Sequence, residues 1–336
     1  MSQYDLELER IKDITLKNGY KTVLVQMPEG LLDVPLREVI KLFTSLGTRV
    51  FVSGDPSYGV CDLAIDYATR LKCELLIHFG HTDFGFESKV KSASKALDVL
   101  LIPAYATLSI TSYLPQLLSK ISDLKWKRVG IIATVQHLRN IKELENFFTQ
   151  NNLEIIIQNT GQILGCHVAH AKAFSKNVDG LISLHSGSFH SLGLVLNTII
   201  PILQLDPYTG EIKYHNEERR NDYIRKRHGL ISRARTASTW GILGSSKLGQ
   251  YHPNRISKAD KILKTHNKLA ITIFAENLNP QYLENITWID AWLATACPRL
   301  AIGDEIRFSK PILTYKEFLY LFNEIIWDDL IVNGFF

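Results

Sequence analysis

The chain has no run of eighteen apolar residues, no C-x-x-C pair and no apolar segment behind its charged N-terminus. Without such a run, a membrane-spanning helix is not expected. The opening stretch MSQYDLELERIKDI is charged and amphipathic and lacks the apolar core of a secretory signal, so a cytoplasmic location is expected. The formal net charge is only +4 over 336 residues. A nucleic-acid binder carries a denser basic stripe, so no direct nucleic-acid contact is expected either. There are just four cysteines. A reducing cytosol excludes them as disulfide staples, and the missing C-x-x-C weakens a zinc ribbon or thioredoxin-like motif. What is present is a globular composition, 46% hydrophobic and 21% charged, in a chain long enough for two or three domains.

Short β-branched runs recur, each followed by turn residues and a helix-compatible stretch. In the first part they span Lys21–Gly30, Arg49–Pro56, Glu74–His81 and Asp98–Ala106. Continuous apolar strands alternating with helices predict parallel sheet covered on both faces. The pattern restarts at Lys127–Thr134, Leu153–Gly161, Asp179–His190 and Thr198–Pro207. It restarts again at Ser238–Lys247, Lys268–Asn277, Ile286–Pro298 and Lys310–Phe318. From first to third strand the separation is 52 residues in each round, counted Thr22 to Glu74, Arg128 to Gly180 and Ser238 to Asp290. A triplicated α/β unit is the simplest account. The expected domains are residues 1–115, 116–222 and 223–336, and the expected fold is three similar parallel-sheet domains in a pseudo-threefold arrangement.

Cys61 and Cys166 lie 105 residues apart, each soon after the second strand of its repeat; Cys297 instead closes the third strand of the last. Ligands of open α/β sheets sit beyond the carboxyl ends of the strands. If the three ends face one axis, these thiols meet. Three cysteines from distant loops suggest a soft metal centre. Structural zinc normally takes four protein ligands, whereas three thiolates on a [4Fe–4S] cluster leave one iron open for substrate. Cys73 precedes a strand, away from that end, and reads as a packed core residue. Gly59 and Gly165 let backbone pass close to a bulky group, or are ordinary loop glycines.

The strings VQMPEGL (Val25–Leu31), GDPSYGVCDLA (Gly54–Ala64), TGQILGCHVAHA (Thr160–Ala171), the stretch Arg220–Gln250 and IDAWLATACPRLAIGD (Ile289–Asp304) resemble the diphthamide-biosynthesis family, the 2-(3-amino-3-carboxypropyl)histidine synthases, in their short archaeal form. The resemblance runs from about Lys21 to Phe318. It implies three α/β domains around a central cluster held by Cys61, Cys166 and Cys297. It also implies an atypical radical enzyme that moves an aminocarboxypropyl group from S-adenosylmethionine to C2 of a histidine in elongation factor 2. A homodimer and an external electron donor are further implications. Many eukaryotic relatives carry a GTxGRQ-like segment where this chain has GSSKLGQ (Gly244–Gln250), which leaves that loop's role open.

Candidate contacts to the sulfonium substrate are Glu29, Gly30, Gln250 and Arg299. Glu29 also fits a plain turn near a helix N-terminus, where the dipole favours a carboxylate. Arg299 can offset cluster charge, grip a carboxylate, or simply be a surface arginine. His78, His81, His167, His170, His185 and His190 cluster near strand ends, but there is no HExxH pair, and satisfied structural histidines are the commoner case. Arg219–Arg235, with seven Lys or Arg, reads as a solvated helix face or a docking surface for the protein substrate. Two alternative functions stand beside the transferase: a quinolinate-synthase-like [4Fe–4S] dehydratase, and a non-catalytic cluster-binding partner subunit.

Overall fold

A computed structural model of the chain describes residues 3–86, 88, 90–91, 97–174 and 177–336. The chain opens with β1 (Tyr4–Asp5). A first parallel sheet follows from β2 (Thr22–Gln26), β3 (Arg49–Val52), β4 (Leu75–Phe79) and β5 (Asp98–Ile102), in the order β3-β2-β4-β5, and β6 (Tyr105–Ala106) returns antiparallel to β1. The second sheet contains β7 (Arg128–Ala133), β8 (Glu154–Ile156), β9 (Gly180–Leu184), β10 (Ile202–Leu205) and β11 (Ile212–His215), in the order β11-β10-β9-β7-β8; only β11 runs antiparallel. The third is β12 (Thr239–Ser245), β13 (Leu269–Ala275), β14 (Ala291–Ala294) and β15 (Ile312–Thr314), ordered β13-β12-β14-β15. Counted within its own repeat, each sheet contains the strand order 2-1-3-4, with β11 added to the second as a fifth, antiparallel strand, in keeping with the expected repeated α/β unit.

One hydrogen-bond device recurs in all three. The acidic residue just before the third strand turns back and accepts the two N–H groups that open the first. Glu74 accepts from Lys21 and Thr22 (2.5 and 3.0 Å), Asp179 from Lys127 and Arg128 (2.7 and 2.8 Å), and Asp290 from Ser238 and Thr239 (both 2.9 Å). Strand-end donors otherwise left to solvent are satisfied this way. The bonds hold the Asp179 and Asp290 carboxyls below their ordinary values, through Arg128 and Lys127 and through Thr239 and Ser238 respectively. They also keep the expected separation of about 52 residues. From the second residue of each capped pair to its acid is 52 residues in the first repeat and 51 in the other two.

The strands are buried as continuous apolar runs read: β4, β9 and β14 are buried at every position. Each strand is shorter than the run that predicts it, and two of the shortfalls bear on the cysteines. The run at Leu153–Gly161 yields only three paired residues, because the chain leaves the sheet edge and rejoins β7 through one bridge, Ala133 to Gln162. Strand β14 stops at Ala294, so Cys297 follows the third strand by three residues rather than closing it.

The chain packs as two compact units. The first is Met1–Ser109 with two short segments, Val135–Arg139 and Lys247–Gly249; the second is Ile110–Thr134, Asn140–Ser246 and Gln250–Phe336. Among the described residues the second unit thus holds two of the three larger sheets. In the first, Phe43, Phe79, Val23, Val25 and Ile77 form a closed core around β2 and β4. In the second, Trp240 packs edge-on against Phe318 and Phe322 beneath β12. Among the described residues no helix is long and apolar enough to cross a membrane.

Candidate functional site

All four cysteines are thiols rather than disulfides. Cys73 is buried among Leu24, Ala68 and Leu76, and burial pushes its thiol pKa up. It is a core residue, as its position before β4 suggests.

In the first unit, Cys61 lies in a short 3-10 turn, Val60–Asp62, after β3. Polar bonds hold its backbone. Asp62 is buried and its carboxylate accepts from the N–H groups of Tyr58 (3.0 Å) and Gly59 (3.2 Å). The Lys247 ammonium closes the same carboxylate at 3.1 Å, with side chains 8% and 0% exposed. The Cys61 carbonyl accepts from Gly249 N–H at 2.8 Å. A Cβ on Gly249 would lie 2.5 Å from the Cys61 Cβ, so only glycine allows this approach. The GSSKLGQ loop therefore acts as a clamp on Cys61, a role the sequence left open.

Behind that turn runs a buried chain of side chains. The Gln26 amide donates to the Asp62 carbonyl (2.9 Å), and its oxygen accepts from Ala64 N–H and from His78 Nδ1 (3.1 and 2.9 Å). With Nδ1 donating, His78 Nε2 accepts from His81 Nδ1 at 2.9 Å. Burial, then His81, pushes the His78 pKa well down, so it is a neutral structural link. His81 stands seven residues after Glu74, as Cys297 stands seven after Asp290. The third repeat thus carries a thiol where the first has an imidazole.

In the second unit, Cys166 occupies the tip of a tight turn closed by two bonds between Leu164 and His167 (2.9 and 3.2 Å). The residue is exposed, yet desolvation raises its thiol pKa, as for a group in a recess. Here the support is steric. A Cβ on Gly193, in the helix Ser188–Asn197, would come within 2.0 Å of the Gly165 carbonyl oxygen, and one on Gly165 within 2.5 Å of the Phe189 ring. His170 donates from Nδ1 to the Gln162 carbonyl at 2.9 Å and is a structural tie. Burial, then His170, lowers the His167 pKa. His185 is buried, with the His190 ring 5.5 Å away.

Cys297 caps the turn Pro298–Leu300. Thr295 anchors the segment before it through N–H and hydroxyl bonds to the Leu243 carbonyl (3.1 and 2.8 Å). Downstream, Arg227 donates to the Ala301 and Ile312 carbonyls (2.7 and 3.2 Å) and grips Glu317 with two bonds, its Nε at 2.7 Å. Arg227 is 4% exposed and Glu317 fully buried. This corrects the basic segment: its helix, Glu217–Ala234, exposes Arg219, Arg225, Lys226 and Arg233, but Arg227 belongs to the core. Phe189 supports both thiol loops of this unit, packing on Gly165 and lying 5.8 Å beneath the Arg299 guanidinium.

A family model for diphthamide synthesis proteins matches residues 27–331. The chain belongs to the diphthamide synthesis family. It is 32% identical over 318 residues to the 2-(3-amino-3-carboxypropyl)histidine synthase of Pyrococcus horikoshii, covering 93% of this chain and 86% of that protein. It is 25% identical to subunit 1 of the human synthase of the same name, over 97% of this chain and 74% of the relative. Among solved structures it resembles Dph2 from Pyrococcus horikoshii with a 4Fe-4S cluster. That match has TM-score 0.81 and 30% identity, covering 98% of this chain and 95% of that one.

The other expected contacts of this family member lie in differing surroundings. Glu29 and Gly30 are exposed in a 3-10 turn, Glu29–Leu31, which leads into the helix Val34–Ser45. Gln250 is buried directly after the Lys247–Gly249 clamp. Arg299 is committed to Asp304 at 3.3 Å. Among the described residues no group of three or more His, Cys, Asp or Glu is placed to hold one metal ion.

Proposed function

We propose that this member of the diphthamide synthesis family is a 3-amino-3-carboxypropyl transferase acting on S-adenosylmethionine and on C2 of one histidine of elongation factor 2. The reaction is the first step of diphthamide formation and leaves methylthioadenosine. The carrying observation is the match over nearly the whole chain to the Pyrococcus horikoshii synthase and to its cluster-containing structure. Cys61, Cys166 and Cys297 are the proposed ligands of one [4Fe–4S] cluster, one from each repeat at residues 1–115, 116–222 and 223–336. The donor set fits the group: three reduced thiols, each on a loop beyond the carboxyl end of a parallel strand. When bound, the cluster supplies the electron that breaks the sulfonium bond to the aminocarboxypropyl arm.

The chain's own residues do the positioning. Asp62, Lys247 and Gly249 fix the Cys61 turn, Gly193 and Phe189 fix the Cys166 turn, and Thr295 with Arg227 fixes both sides of Cys297. Ligand loops locked by packing and hydrogen bonds hold such a constellation in its working geometry. Arg299, Gln250, Glu29 and Gly30 are the proposed contacts to the sulfonium substrate's polar ends. A cytoplasmic homodimer served by an external electron donor completes the reading.

The test is anaerobic incubation of the cluster-loaded chain with dithionite, S-adenosylmethionine and archaeal elongation factor 2. Methylthioadenosine and a mass gain of one aminocarboxypropyl group on the factor are expected. A fully loaded chain that yields neither would overturn the proposal.

A further inference from the structure

Six strands end the three sheets, and five of them are blunted. β3 is four residues with Arg49 at its start, β8 is three with Glu154 paired to Arg128, β5 begins with Asp98, β11 carries Lys213, and β15 is three buried residues. Short length and charge are the usual protections of an open edge. β13 has neither. It runs for seven residues, LAITIFA, without a charge, and pairs only with β12 among the described residues. Leu269, Ile271 and Phe274 are 59%, 41% and 51% exposed, and Tyr251, itself exposed, lies edge-on to Phe274 at 5.8 Å. A long apolar edge of this kind needs a covering partner.

The strand's own sequence says which partner. We propose that β13 pairs antiparallel with β13 of a second copy of this chain, about a two-fold axis at Thr272, joining two four-stranded sheets into one of eight. In that register Thr272 faces itself, Ile271 faces the partner's Ile273, Ala270 faces the partner's Phe274, and Leu269 faces the partner's Ala275. Large side chains meet small ones, and β-branched pairs meet at the centre. Beyond the strand, Lys268 faces the partner's Glu276, so two ion pairs flank the contact symmetrically. A register centred on Ile271 instead sets Lys268 against Phe274 and loses both ion pairs. Such an isologous contact closes on itself, consuming both β13 edges and leaving only the short, buried β15 strands at the two ends of the joined sheet. The inference rests on the homodimer proposed above, not on the transferase chemistry.

The experiment is light scattering coupled to gel filtration on the full chain, wild type beside Thr272→Lys and Thr272→Asp. Thr272 is exposed, so neither change disturbs the fold, which an unchanged melting curve verifies. Wild type is expected to be a dimer. Each variant sets two like charges face to face and weakens association on the order of 100-fold. An equimolar mixture of the two variants regains the dimer. Variants that remain dimeric alone, or a mixture that stays monomeric, overturn this interface while leaving a homodimer through another face intact. A monomeric wild type overturns the homodimer itself. Methylthioadenosine formation reports on the chemistry separately.

Discussion

Cys61 and Cys166 occupy matching places in the first two repeats, yet they are held by different physics. The Cys61 turn hangs on charge: a buried carboxylate that gathers two backbone N–H groups and a lysine from far along the chain. The Cys166 turn hangs on shape, with Gly193 and Gly165 meeting so closely that a single methyl group has no room. The first arrangement tolerates volume changes but not an unpaired charge. The second tolerates no volume and is indifferent to charge. Cys297, which has no counterpart cysteine in the other repeats, borrows from both, with a packed aromatic below and a buried arginine behind.

The largest expected effect comes from breaking the third arrangement. Arg227→Met leaves Glu317 buried without its cation, and removing one partner of such a pair costs about 3–5 kcal/mol. Urea unfolding should register that loss, with less iron retained per chain. Lys247→Met exposes the electrostatic character of the Cys61 clamp. It strands Asp62 and costs up to about the same 3–5 kcal/mol. Asp62→Asn in the same chain should recover much of it, because a neutral amide no longer needs the cation. Gly193→Ala tests the steric clamp instead. Overpacking of this kind costs roughly 1–3 kcal/mol, and reconstituted iron should fall because the Cys166 turn must move. No charge change at Asp62 should rescue it.

The smallest effect lies in the strand caps that all repeats share. The Asp290 pKa is lowered by the Thr239 and Ser238 bonds. A depressed carboxylate contributes stability that is full above its unfolded value, near 3.8, and fades as pH falls through the folded one. The group is exposed, so the contribution is modest. Wild type should exceed Asp290→Asn in stability at pH 6, and the gap should close in unfolding curves taken below pH 3.

The sheets were legible because parallel strands buried on both faces read as unbroken apolar runs at a repeated offset. The second-strand run of the middle repeat misled, because apolar content continues past Ile156 although pairing does not. Asp62 and Lys247 are 185 residues apart, and no single-sequence pattern links them. Arg227 was within reach: Ile224, Arg227, Ile231 and Ala234 form a stripe at helical spacing, and all four are buried. A cation in an apolar stripe demands a buried acid, and Glu317 supplies it. The acid caps were visible too, one before each third strand, but their meaning depends on knowing that the strand ends meet.

The account turns on three thiols and not four. The direct measurement is an anaerobic absorption and EPR spectrum, with iron counted per chain, for wild type beside Cys61→Ala, Cys166→Ala, Cys297→Ala and Cys73→Ala. Loss of the iron–sulfur signal in the first three, with Cys73→Ala indistinguishable from wild type, is the predicted result. An intact cluster in any of the three, or its loss in Cys73→Ala without unfolding, would contradict it.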